Sequence, residues 1–62
     1  MEKEYNEILK KQIQNQISSN SEKINQTSTQ NGSQLAIANS NLFIALSNIA
    51  IANSNLNKSI AN

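Results

Sequence analysis

The chain contains no cysteine, no histidine, no aspartate and no proline, one glycine, and two aromatic residues, Tyr5 and Phe43. Without cysteine there is no disulfide and no thiolate metal site. Without histidine and aspartate, the Ser-His-Asp, Cys-His and standard zinc-ligand constellations cannot be assembled from one chain. The carboxylates, Glu2, Glu4, Glu7 and Glu22, all fall in a polar amino-terminal stretch that offers no dry, shaped site for paired acid and base work. A single glycine excludes a glycine-rich phosphate loop. Two aromatics and five lysines make neither a base-stacking platform nor a basic stripe, and a net charge of +1 gives no electrostatic reason to expect nucleic acid. The inventory therefore predicts no catalytic residue, no cofactor, no metal and no nucleic-acid partner.

At 62 residues the chain holds one domain at most. A lone core of that size rarely supplies more than about 3 to 5 kcal/mol without staples. Disulfides and metals being absent, oligomerisation is the remaining route to stability. The first residues, MEKEYNEILKK, lack the apolar h-region and cleavage site of a secretory signal, so they are expected to be mature structure. Twelve Asn, nine Ser and six Gln make the chain polar without making it charged.

What organises the chain is the stretch LAIANSNLFIALSNIAIANSNLNKSI, from Leu35 to Ile60, in which the heptad AIANSNL at Ala36 returns unchanged at Ala50. A heptad repeat predicts an α-helix buried along one seam. Side-chain size sets the register: Leu35, Leu42, Ile49 and Leu56 take the d positions, and Asn39, Leu46, Asn53 and Ile60 the a positions. These eight residues form the expected oligomer interface. Asn39 and Asn53 would penalise any pairing that set their amides against Leu or Ile, the established use of a seam Asn in fixing register and oligomer state. The g column (Ala38, Ala45, Ala52) is small, while Ser40, Ser47 and Ser54 at b and Asn41, Asn48 and Asn55 at c form a wet side. Ile37, Ile44 and Ile51 recur at f, the position that should be most exposed, which predicts a second contact surface.

Ahead of this, Glu2 to Ile24 reads as an amphipathic helix. Tyr5, Ile8, Leu9, Ile13, Ile17 and Ile24 recur at spacings of three, four and seven, and the Glu cluster precedes Lys10 and Lys11, the order that suits the helix dipole. Tyr5, Ile8, Leu9, Ile13 and Ile17 are its candidate packing or partner surface. Between the helices lies NQTSTQNGS, with no apolar side chain and no charge, and its Asn31-Gly32 is a strong turn dipeptide. The Ile17 and Ile24 phase is also one residue out of step with the later heptads, which a loop absorbs. The expected segments are an amino-terminal helix over 1–24, a polar linker over 25–33 and a heptad helix over 34–62.

Two architectures follow: an αα-hairpin whose copies associate into a bundle, or two collinear helices joined by a flexible segment. In the hairpin, the Ile37, Ile44, Ile51 column would receive the first helix while the Leu35 to Ile60 seam pairs protomers. Two rivals compete with a soluble coiled coil. No charge falls between Lys23 and Lys58, so the heptad helix could approach a membrane span, and its Ser/Asn stripe could then line a polar path, as in a holin-like peptide. Low charge and absent proline also permit cross-β stacking, against which the strict heptads and abundant Ala argue.

The uncharged heptads AIANSNL, FIALSNI and AIANSNL resemble the coiled-coil stalks of bacteriophage fibre and other virion proteins and of trimeric bacterial adhesins. The likeness covers residues 35–61 and is one of composition and spacing, with no diagnostic motif. It implies a structural role, usually as a parallel trimer, in a virion or in the cytoplasm of a bacterial host. Adhesin stalks often carry Asn at d, whereas Asn39 and Asn53 stand here at a. The expectation is thus an all-α chain of two helices, about 2–24 and 34–61, joined by an Asn-Gly loop and forming a coiled-coil or helical-bundle homo-oligomer, dimer to tetramer. Its amino-terminal helix could grip a larger protein, and in the extreme the chain would be a small regulator that binds and blocks a host protein.

Overall fold

The computed structural model describes residues 2–61. Two helices, α1 (Glu2–Ile24) and α2 (Thr29–Ala61), account for 93% of them, and among the described residues there is no strand. The helices pack against each other as a hairpin, so the collinear and cross-β alternatives are not the arrangement of this chain. The expected segments 1–24 and 34–62 end on Met1 and Asn62, which lie outside the described residues.

Helix α1 begins where Glu2 and Glu4 meet the positive end of the helix dipole and carries Lys23 in its last turn, near the negative end. It closes with two i to i−3 hydrogen bonds, from Asn25 N–H to the Glu22 carbonyl at 3.2 Å and from Gln26 N–H to the Lys23 carbonyl at 3.0 Å. Absence of proline lets both helices run without interruption.

The turn is shorter than the sequence suggests. It comprises residues 25–28 only, and Asn31-Gly32, expected at its apex, lies inside the first turn of α2, with Gly32 at no positive φ. Ser28 accounts for the difference. Its hydroxyl accepts a hydrogen bond from the Asn31 N–H at 3.3 Å, the contact an N-cap makes to N3, and its carbonyl accepts from the Gly32 N–H at 2.7 Å to open the α-helical ladder. A capped start offsets the cost of about 1 kcal/mol for one helical glycine.

With 33 residues, α2 is about 50 Å long at 1.5 Å per residue, and it sets the 51 Å length of the rod. The radius of gyration is 14.8 Å, against about 10.6 Å for a compact domain of 62 residues. A rod two helices thick cannot enclose a core. Among the described residues no apolar side chain is buried; the single buried residue is Asn39, 8% exposed.

Candidate functional site

The surface that can carry function here is the pair of faces that α2 presents, one toward α1 and one away from it. Leu35, Leu42, Leu46, Ile49, Asn53 and Leu56 are half-buried and Asn39 is buried, all on the side that meets α1. The seam expected between protomers is therefore occupied within one chain. Ile60, assigned to the same seam, is 77% exposed at the end of α2.

The column expected to receive α1 points the other way. Ile37, Ile44 and Ile51 are 57, 58 and 57% exposed, and Phe43 beside them is exposed as well. The reversal has a plain cause. The a and d columns together give Leu35, Leu42, Leu46, Ile49 and Leu56 for α1 to cover, with Asn39 and Asn53 bonded to Asn20 and Asn6 between them, whereas f offers one Ile per turn pair between a Ser column and an Asn column. The predicted surface of α1 divides in the same way. Leu9, Ile13 and Ile17 are half-buried toward α2, while Tyr5 and Ile8 face solvent.

Polar contacts decide how the helices are aligned. Asn20 Nδ2 donates to Asn39 Oδ1 at 3.0 Å, and the Asn39 amide donates in turn to the Ser21 hydroxyl at 3.3 Å and the Ile17 carbonyl at 3.4 Å. Toward the other end of the rod, Asn6 Nδ2 donates to Asn53 Oδ1 at 2.9 Å, and Asn53 Nδ2 reaches Glu7 Oε1 at 3.5 Å. Beyond it Lys3 Nζ donates to Asn57 Oδ1 at 2.9 Å on the exposed rim. Ile13 lies midway between Asn6 and Asn20, as Leu46 lies midway between Asn39 and Asn53. An amide pair, an aliphatic level and an amide pair therefore follow one another along the interface.

This pattern resists slippage. Displacing one helix by a heptad in either direction would set an Asn of α1 against Leu46 and an Asn of α2 against Ile13. Each stranded amide would cost about 1 kcal/mol or more where it is shielded from water. The seam Asn residues, expected to set register between protomers, are bonded instead to Asn6 and Asn20 of the same chain. Those two were not singled out by hydrophobic periodicity, since Asn does not register on it. Their spacing of fourteen, equal to that of Asn39 and Asn53, was the available signal.

Two shallow grooves flank the interface at its ends. The one beside the turn includes Lys23, Asn31 and Leu35, and the one at the open end includes Glu2, Tyr5, Asn6 and Leu56. Each is lined by one charged side chain, so neither brings an acid and a base together. Among the described residues one helix, α2, is long and apolar enough to cross a membrane, and little of its apolar stretch is buried. Comparison with protein-family models, with curated proteins and with solved structures gives no match.

Proposed function

We propose that this chain is a non-enzymatic structural protein whose role is to assemble with copies of itself, the hairpin being the protomer. One observation carries the proposal: among the described residues the folded hairpin buries no apolar side chain, while five large apolar residues of α2, Ile37, Phe43, Ile44, Ile51 and Ile60, stay more than half exposed. A folded monomer of 6.8 kDa is expected to expose about 3,950 Å². This one exposes 4788 Å². The excess, about 800 Å², follows from the elongated shape of a two-helix rod, whose apolar sides no part of the chain covers. Assembly supplies the missing core. A connector or short fibre in a virion is the setting that the resemblance of residues 35–61 to phage and adhesin stalks suggests.

Sedimentation equilibrium of the full chain in detergent-free buffer tests this. A discrete dimer, trimer or tetramer is expected; a monomer at all accessible concentrations would refute it. The hydropathy and low burial of α2 favour a second reading, insertion of α2 into a bilayer. That reading requires Asn39, Asn41, Asn48 and Asn53 to enter hydrocarbon, each costly unless partnered. Flotation with lipid vesicles separates the two: co-flotation together with a monomer in buffer would favour the membrane, and a stable oligomer that stays with the aqueous phase would favour assembly.

A further inference from the structure

We propose that two hairpins meet through the outer face of α2, antiparallel, about a two-fold axis at Ile44, with Ile37 of each copy against Ile51 of the other. The proposal rests on the self-assembly proposed above and names the surface by which it occurs.

Charge distribution selects a second copy as the occupant. Eight of the nine charged residues belong to α1, and α2 carries Lys58 alone, near its end. A face without charge offers nothing to an acidic or basic partner, yet it meets its own copy without repulsion. Stacking α2 on α2 also leaves both α1 helices outside, with their charges in water. The four helices then lie as α1, α2, α2 and α1, and the two uncharged helices occupy the middle.

The sequence of the face is symmetric about Ile44. Ile37 and Ile51 stand seven residues to either side, and all three are exposed to the same extent. In antiparallel helices like columns face each other. Ser40 then comes opposite Ser47 and Asn41 opposite Asn48, so each Ile level is bracketed by hydroxyl and amide pairs. Two primary amides are mutually complementary, each with a donor and an acceptor. The chain already joins its helices by that chemistry at Asn20–Asn39 and Asn6–Asn53. Antiparallel stacking also sets the two α2 dipoles head to tail, whereas parallel stacking opposes them.

The absence of cysteine makes the test direct. The full chain would be prepared as three variants, Ile44→Cys, Ile37→Cys and Ile51→Cys, and treated with a short bis-maleimide. Ile44→Cys is expected to cross-link to itself in high yield. Ile37→Cys alone should not, because its two copies are separated by fourteen residues, about 21 Å along the helix, whereas a mixture of Ile37→Cys and Ile51→Cys should give the mixed dimer. Self-cross-linking of Ile37→Cys would overturn the antiparallel arrangement, and no cross-link at position 44 would overturn the face. Sedimentation of the unmodified chain keeps the two proposals apart. A monomer would sink self-assembly itself, whereas an oligomer whose mass is unchanged by Ile44→Asp would sink only this surface. For Ile44→Asp we expect association weakened at least about a hundredfold, because the axis would bring two carboxylates together in a dry contact. Far-ultraviolet circular dichroism would confirm that the Ile44→Asp hairpin retains its helices at concentrations where it is folded.

Discussion

Alanine substitution of Asn20 and Asn39, singly and together, measures the contact that aligns the hairpin. Asn39 makes one well-formed hydrogen bond, at 3.0 Å to Asn20, and two long ones at 3.3 and 3.4 Å. Taking about 1 kcal/mol for the first and about 0.5 kcal/mol for each of the others, its loss costs about 2 kcal/mol. Alanine returns about 0.6 kcal/mol of helix propensity. Asn39→Ala should therefore destabilise by about 1.4 kcal/mol, Asn20→Ala by about 0.4 kcal/mol, and the double variant by about 0.8 kcal/mol, since their shared bond is lost only once. The coupling energy is then about 1 kcal/mol, and propensity cancels from it. Urea unfolding followed by circular dichroism at one fixed protein concentration gives all four stabilities. Strictly additive losses would mean that the two amides do not interact, and the alignment mechanism would have to be abandoned.

Other consequences are quicker to check. Gly32→Ala should stabilise the chain by about 1 kcal/mol and raise Tm by about 7 °C: a Cβ there meets Ile24 Cγ2 and Thr27 Cγ2 at 3.9 Å, an ordinary contact. A loss of stability would restore the turn that Asn31-Gly32 suggested. Ser28→Ala should cost about 1 kcal/mol and fray the start of α2, visible as faster amide exchange at Asn31. Replacing both Asn20 and Asn39 by Leu should leave stability equal or raised, because no amide is stranded, and should lower the cost of a one-heptad slip from two stranded amides to one, so that paired cysteines trap the shifted alignment more often than in the parent chain. Lys3→Ala, which removes an exposed contact to Asn57, should change stability by less than about 0.5 kcal/mol.

The two helices and the apolar a and d columns of α2 were legible because they follow from spacing; spacing left both the hairpin and the collinear arrangement open, and the packing of α1 on α2 decides between them. Leu35, Leu42, Leu46, Ile49 and Leu56 lie where heptad geometry puts them, and the absence of proline left no reason for a break. Three features were not. Which face α1 would cover depended on comparing two apolar columns of one helix, and the answer required the partner helix as well. Asn20 and Asn6, the partners of Asn39 and Asn53, leave no trace in the apolar periodicity of α1, because Asn does not contribute to it. Asn31-Gly32 taken alone favours a turn, and the competing cap at Ser28, three residues before Asn31, draws both residues into α2. Beyond the fold, the seam that had been assigned to other protomers satisfies itself inside the chain. Self-assembly therefore has to be argued from what stays exposed, the column of Ile37, Ile44 and Ile51.

If association completes a hairpin that has no core of its own, folding and assembly must be linked. The decisive measurement is the thermal unfolding of the full chain, followed by circular dichroism, over a hundredfold range of concentration. A dimer should gain about 2.7 kcal/mol across that range, which for two chains of this length raises Tm by about 10 °C. A Tm and a helix content that stay constant throughout the range would contradict the account, and would mean that the two helices suffice for a stable monomer.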